Sequence, residues 1–160
     1  MKKHNYNDAR DIPKSDNNVL VFGSNVDGWH GAGVALLAYK EFGAHLHCPV
    51  GRMGMSYAIR TKDLKADKHP SVPRHKIVQD IEYLYEHAEK YPDDNFYVPY
   101  TATGRNLNFY SAKDMAVMFV DAADNHIFPD NVLFNNGFAE LMEDYIDLFE
   151  QPRLMNGEVV

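Results

Sequence analysis

The stretch of residues 19–43, VLVFGSNVDGWHGAGVALLAYKEFG, decides the fold that this chain of 160 residues can adopt. Its first four residues form a short apolar run that the turn-forming residues 23–25 end, which is typical of a buried strand. Three glycines follow between 28 and 33, and apolar side chains then recur at helical spacing over 34–42. The stretch therefore predicts a strand that runs through a glycine-rich loop straight into a helix.

The same alternation of strand and helix continues along the chain. Apolar runs predict further strands. Apolar residues that recur three, four, seven and eight positions apart, or a capping box, predict further helices. The strands are 56–59, 96–98 and 131–134, and the helices are 74–90, one that starts after a Ser111–Asp114 capping box, and 138–149. This order predicts an α/β domain of three layers, with helices on both faces of a mostly parallel, mixed sheet.

Three regions are expected along the chain. Residues 1–17 are predicted to form a polar N-terminal arm, residues 18–135 a ligand-binding domain, and residues 136–160 a C-terminal helix and tail. The C-terminal helix is acidic and amphipathic, with five acidic residues and no basic one between 137 and 151. Its apolar face is expected to pack on the sheet; self-association into a homo-oligomer through this helix is the alternative.

Composition excludes several classes of protein. The chain has 16 Lys and Arg against 23 Asp and Glu, a net charge of −7, which argues against binding to duplex nucleic acid. Cys48 is the only cysteine, so an intrachain disulfide and a cysteine-based zinc site are excluded. No apolar run approaches the roughly 20 residues of a membrane span, and the polar start is unlike a signal peptide. We expect no membrane association and a cytoplasmic location.

Two polar loops, 23–33 and 101–108, follow predicted strands and precede predicted helices. Ligands of such folds lie outside the carboxyl ends of the strands, and glycine-rich loops let backbone N–H groups approach an anion. The pair of loops therefore suggests a nucleotide diphosphate held between them. The chain contains neither a G-K-[ST] nor a G-x-G-x-x-G motif. Glycines that serve only a tight strand-to-helix turn are the alternative.

Four short motifs carry a resemblance to a known family. They are V-F-G-S-N at 21–25, H-G-A-G at 30–33, S-Y-A-I-x-T-K-D at 56–63 and G-x-x-L-x-x-Y-S at 104–111. With these motifs the chain resembles macro domains, modules that bind ADP-ribose, over about residues 19–134. It is most similar to the terminal ADP-ribose protein glycohydrolase branch and to short macro-like proteins of phages and bacteria.

The resemblance implies a macro-like fold and a ligand of the ADP-ribose type, with no further cofactor and no metal. It implies these ligand-binding residues: Gly23, Ser24, Asn25, His30, Gly31, Ala32, Gly33, Val34, Thr61, Lys62, Thr103, Gly104, Arg105, Asn106, Leu107, Asn108 and Tyr110. It also suggests a phage protein that sequesters an ADP-ribose-derived defence signal in the host cytoplasm.

Two positions of the resemblance bear on whether the ligand is turned over. In the hydrolytic branch a lysine attacks the ribose and a carboxylate in the second loop acts as acid and base, and the resemblance places Lys62 and Asn108 at these two positions. Since an amide cannot exchange a proton near pH 7, binding without turnover is expected. An ADP-ribosyl hydrolase that uses Lys62 as nucleophile is the alternative, and an NAD- or nucleotide-binding accessory protein with a vestigial pocket is a third reading.

Other side chains have two readings each. His45, His47 and Cys48 could bind a metal or belong to an ordinary loop or edge strand. Trp29 could stack on a base of the ligand, or it could pack the first loop against the rest of the protein. Phe109 could stack on the ligand or belong to the core.

Overall fold

The structure, a computed structural model, describes residues 1–150 and the backbone of a short antiparallel hairpin, in which Leu154–Met155 (β7) pairs with Glu158–Val159 (β8). The rest of the predicted C-terminal tail lies outside the described residues. The other strands and the helices are β1 Lys2–His4, β2 Asn18–Asn25, α1 Gly33–Glu41, β3 Gly51–Met53, β4 Ser56–Lys62, α2 Arg74–Lys90, β5 Asn95–Val98, α3 Ala112–Asp121, β6 Val132–Asn135 and α4 Asn136–Glu150. They alternate along the chain, except that β2 follows β1 and β4 follows β3 with no α-helix between them.

Six strands of the described chain form one sheet in the order β1-β6-β5-β2-β4-β3. All neighbours are parallel except β3, which is antiparallel to β4. Side chains alternate across β2: Val19 and Val21 are buried with α2, α3 and α4, whereas Leu20 and Phe22 are buried with α1. Because successive strand residues point to opposite faces, β2 supplies both halves of the core. The predicted three-layer α/β fold with a mostly parallel, mixed sheet is confirmed.

The N-terminal segment, predicted as a polar arm at 1–17, contributes the three residues Lys2–His4 to this sheet. Strand β1 pairs in parallel with β6 at the sheet edge, and the His4 ring nitrogen Nε2 lies 2.9 Å from the Val98 carbonyl oxygen. Further along, Ile12 is buried beneath α1. Three strand residues, two of them exposed lysines, are too few to produce a readable alternation. Strand β3 was missed for the same reason of length.

Helix α4 packs on the face of the sheet that also carries α2 and α3. Phe138, Ala139 and Met142 are fully buried, whereas Leu148 and Phe149 near its end are exposed. Self-association through this helix therefore stays a prediction. None of the helices in the described part of the chain combines the length and apolar character that a membrane crossing requires.

The topology opens a crevice at the carboxyl end of β2. The chain leaves β2 through α1 to reach β4 on one side and then crosses to β5 on the other side. The loops after β2 and β5 thus diverge around a topological switch point, which is where ligands bind in folds of this kind. This position agrees with the two loops singled out from the sequence.

Candidate functional site

A cleft with two compartments occupies this crevice. The larger compartment has a volume of about 470 Å³ and the smaller one about 220 Å³. Both are bordered by the loops after β2 and β5 and by Thr61 of β4, and the loop after β4 contributes Leu64 to the smaller one. They share six lining residues and so adjoin one another: Gly23, Ala32, Ala35, Thr61, Leu107 and Asn108. The two compartments therefore form one continuous site.

Fourteen of the seventeen predicted ligand-binding residues line this cleft. The larger compartment contains Gly23, Ala32, Gly33, Val34, Thr61, Thr103, Arg105, Asn106, Leu107 and Asn108, and the smaller one adds Ser24, Asn25, Gly31 and Lys62. His30, Gly104 and Tyr110 line neither compartment. The two loops predicted from the sequence thus meet in space because parallel strands end at the same edge of the sheet.

The exceptions face the protein interior or the solvent. His30 is buried; its Nε2 lies 2.7 Å from the His45 carbonyl oxygen, and its ring meets Phe22 edge to face. The Tyr110 hydroxyl donates to the Val72 carbonyl oxygen at 2.6 Å, and burial raises the pKa of this phenol. Gly104 provides a turn with φ of 97°. These three residues shape the loops and line neither compartment.

The floor of the cleft requires a glycine. A β-carbon on Gly23 would lie 2.8 Å from the Tyr100 hydroxyl oxygen and 2.9 Å from Thr61 Oγ1. The Tyr100 ring stacks on Phe138, and burial raises the pKa of its hydroxyl. Strand β2 is therefore bare where the two compartments join, and this leaves room for a ligand directly above the sheet.

A break in register brings Lys62 to the cleft. Ser24 pairs with Arg60 whereas Asn25 pairs with Lys62, so the pairing shifts by one residue at Thr61. Such bulges re-aim side chains next to functional sites. The Lys62 ammonium lies 5.1 Å from the centre of the Phe109 ring, which holds the cation at the border of the smaller compartment.

The first loop is stiffened by the side chain of Asn25. Its amide oxygen accepts from the backbone N–H groups of Asp27 and Trp29 at 3.2 and 3.0 Å, and its Nδ2 donates to the Trp29 carbonyl oxygen. A β-carbon on Gly28 would come within 2.6 Å of the backbone nitrogen of Cys48, so this turn also needs glycine. The amide of Asn25 therefore acts mainly by fixing the shape of the loop.

Helix α1 begins inside the cleft. Its N-cap Ala32 has no side-chain hydrogen bond to the first turn in the described chain. The first four N–H groups of a helix have no partner within the helix and carry a partial positive charge. Gly33, with φ of 57°, lies next to Leu107, and a β-carbon there would lie 3.2 Å from Leu107 Cδ1. Because Ala32 lines both compartments, the helix start is available to an anion where they adjoin.

The second loop is held by two asparagines. Asn108 is buried, and its amide oxygen accepts from the Tyr110 backbone N–H at 2.9 Å. Asn106 Nδ2 donates to the Tyr110 carbonyl oxygen at 3.0 Å. The residue at the position where the resemblance puts an acid–base carboxylate is therefore a neutral amide that is already used to fold the loop.

Few charged side chains border the cleft. Within residues 1–150, Asp8 alone among the lining side chains is acidic, and its carboxylate is paired with the Arg10 guanidinium at 2.6–3.1 Å. Hydrogen bonds from Arg10 lower the pKa of Asp8 to about 2. Arg105 lines the larger compartment and Lys62 the smaller one, so the unpaired charge offered to a ligand is positive.

Several lining residues were missed in the sequence. Residues 7–10 line the larger compartment because strand β1 brings them beside the loop after β5. Leu37 and 99–101 complete its wall, and Leu64 borders the smaller compartment. Trp29 also lines the smaller compartment while its ring packs edge-on against His47. No local pattern marks residues 7–10, since only long-range pairing places them here.

The stretch 45–48 belongs to the wall behind the first loop. His47 lies against Trp29 with φ of 64°, and the His45 carbonyl oxygen is paired with His30. No group of three or more His, Cys, Asp or Glu side chains suited to a metal ion occurs in the described ranges.

The chain matches no known protein-family model, and no curated protein matches it in sequence.

Proposed function

We propose that this chain binds ADP-ribose, or a nucleotide conjugate derived from it, without turning it over. One observation carries the proposal. The loops after β2 and β5 border one continuous cleft at the carboxyl edge of the sheet, and the open start of α1 lies where its two compartments adjoin. A long ligand with a central anion suits a site with two compartments and a central cluster of N–H groups.

The diphosphate is assigned to the junction of the two compartments. Ala32 and Leu107 line both compartments there, Gly33 follows Ala32 in the wall of the larger one, and the glycine-rich loop presents backbone rather than side chain. Backbone N–H groups and a helix start bind phosphates without clustered lysines, so a net charge of −7 is compatible with this ligand. Arg105 and Lys62, one on each side, supplement the positive potential.

The nucleoside is assigned to the larger compartment. Its volume of about 470 Å³ lies in the range of small-molecule sites, roughly 300–1,000 Å³. Its wall combines apolar side chains such as Leu37 and Pro99 with polar ones such as Thr101 and Asn106. Apolar surface that packs on a ligand, together with polar groups that fix its orientation, is the usual lining of a small-molecule site, and a nucleoside offers partners for both.

Binding without hydrolysis is favoured by the absence of a free carboxylate among the described lining residues. Asp8 is held by Arg10, and Asn108 is committed to the second loop. General acid–base help is worth about 10²–10⁴-fold in rate, so Lys62 without such a partner is a poor catalyst. Lys62 is then a ligand contact, and hydrolysis through Lys62 is the competing function.

A protein that holds such a ligand without consuming it lowers the free ligand concentration in proportion to its own amount. This is the role of a sequestering protein, and we include in the proposal that the ligand is an ADP-ribose-type signal and the protein a phage product. We place this role in a reducing cytoplasm, because the chain carries a single cysteine.

Isothermal titration calorimetry with ADP-ribose, AMP and ribose 5-phosphate tests the proposal. We expect ADP-ribose to bind more tightly than either half, because only the whole ligand spans both compartments. Gly33→Val should abolish binding, since its β-carbon meets Leu107. The matched control is Gly51→Val, another glycine with positive φ but with open space around a β-carbon.

Two outcomes would overturn the proposal. The absence of heat with millimolar ADP-ribose would remove the binding function. Release of free ADP-ribose from an ADP-ribosylated peptide, lost in Lys62→Ala with binding retained, would establish the hydrolase instead.

A further inference from the structure

Large apolar side chains surround the smaller compartment, although each of them is about half exposed or more. Trp29 is 52% exposed, Leu64 49% and Leu107 61%, and all three line this compartment. Phe109, 61% exposed, lies beside Lys62 at its border. Exposed apolar side chains that cluster on one concave surface mark a binding site, whereas scattered ones need no explanation.

The cluster is built by the topology and by no single segment. Trp29 follows β2, Leu64 follows β4 and Leu107 follows β5, so three neighbouring strands each contribute one side chain at their carboxyl ends. The compartment adjoins the larger one through shared lining residues such as Gly23 and Thr61. A group bound here is therefore within reach of a ligand that already occupies the middle of the cleft.

The charge of the lining residues limits which chemical groups the smaller compartment can bind. Lys62 is the one charged side chain that lines the smaller compartment, as far as residues 1–150 are concerned. Its ammonium group disfavours a second cation nearby. Trp29 provides a large indole surface, and the His47 ring, 4.7 Å away between centroids, braces it. A braced aromatic ring loses little side-chain freedom when a planar group stacks on it.

We propose that the smaller compartment binds a planar, uncharged apolar group attached to the terminal ribose of the nucleotide. This inference rests on the proposed function and names the class of conjugate that the site takes. The nucleoside fills the larger compartment, the diphosphate lies beside Gly33, and the attached ring lies among Trp29, Leu64 and Leu107.

Titration calorimetry of the full chain with ADP-ribose, NADH and NAD⁺ tests this inference. NADH carries a neutral, nearly planar ring on the terminal ribose, NAD⁺ carries the cationic form of that ring, and ADP-ribose carries none. Stacking on an aromatic side chain predicts that NADH binds about tenfold more tightly than ADP-ribose. NAD⁺ should bind less tightly than NADH because of Lys62, and Lys62→Gln should reduce that difference.

Two variants remove the apolar contacts separately. In Trp29→Ala and in Leu64→Ala the ratio of the ADP-ribose and NADH dissociation constants should fall toward one. Leu148→Ala, at an exposed leucine on α4 outside the cleft, is the matched control and should retain the ratio. If Trp29→Ala does not fold, Leu64→Ala still tests the same contact.

The outcomes separate this inference from the proposed function. NADH that binds no more tightly than ADP-ribose, or a preference for NADH that survives both variants, would overturn the inference and leave the proposed function intact. Absence of binding by both ADP-ribose and NADH would overturn the two together.

Discussion

The Tyr100 hydroxyl oxygen lies 2.8 Å from the point where a β-carbon on Gly23 would stand. Thr61 Oγ1 lies 2.9 Å from the same point, and real β-carbons do not approach other atoms so closely. The Tyr100 ring is fixed between Phe119 and Phe138 and cannot swing aside freely. The bare backbone at the centre of the cleft is therefore a requirement of packing as well as of ligand access.

Gly23→Ala should lower the free energy of unfolding by about 1–3 kcal/mol, the usual cost of overpacking a filled site. Urea denaturation measures this change. Tyr100→Phe in the same chain should recover part of the loss, because it removes the nearest atom. Gly31→Ala is the folding control, since no atom lies within 4 Å of a β-carbon there. Equal effects of Gly23→Ala and Gly31→Ala would contradict the packing argument.

Phe109 adopts a conformation that suits glycine better than an aromatic residue. Its φ is 68°. Its exposed ring stacks on His69, and the Lys62 ammonium lies over the ring as in a cation–π interaction. Phe109→Ala and Phe109→Gly both remove the ring, but only glycine relieves the backbone. We expect the glycine variant to be more stable than the alanine variant by about 1 kcal/mol in thermal or chemical denaturation. The reverse order would show that the backbone is not strained.

The end of β4 is anchored to α2 by one ion pair. Asp80 is buried, and its carboxylate accepts from the Arg60 side chain at 2.8 and 3.0 Å and from the Arg60 backbone N–H at 2.9 Å. Asp80→Asn keeps the shape but loses charge and one acceptor. It should cost about 1–3 kcal/mol in the free energy of unfolding.

The control for this anchor is the exposed pair of Lys14 and Glu41, in which both side chains remain largely in solvent. Glu41→Gln should change stability by less than about 1 kcal/mol. If the two variants have the same denaturation midpoint, Asp80 does not anchor β4.

Stability should depend on pH through His87. Burial and the nearby Arg52 lower the pKa of His87 from 6.5, and Arg52 also lies 3.1 Å from Asp94. A histidine with a lowered pKa binds fewer protons when folded than when unfolded. The contribution of His87 to the free energy of unfolding is therefore complete above about pH 6.5. It is lost as the pH falls through the pKa that His87 has in the folded protein.

His87→Gln should flatten this loss of stability in denaturation curves recorded between neutral and mildly acidic pH. Part of the dependence of the free energy of unfolding on pH should remain, because burial also lowers the pKa of His4. His75→Gln on the exposed side of the same helix is the matched control. A slope unchanged by His87→Gln would contradict the assignment.

Local patterns predicted the longer elements well. Helix α2 spans Arg74–Lys90, as its apolar spacing after Pro73 predicts, and α3 begins at the capping box of Ser111 and Asp114. Strands β1 and β3, of three residues each, left no readable period. Much of the candidate site was also predictable, because loops that follow buried parallel strands meet at one edge of the sheet.

The amino-acid sequence by itself determined the alternation of strands and helices and the loops that border the cleft, because these depend on hydrophobic period and on glycine. Only the tertiary structure decided that residues 7–10 join the cleft, since this depends on the pairing of β1 with β6. It also decided that His30 and Tyr110 point into the protein. The direction of a side chain in a loop depends on the partners that long-range packing supplies, and these are not encoded in local spacing.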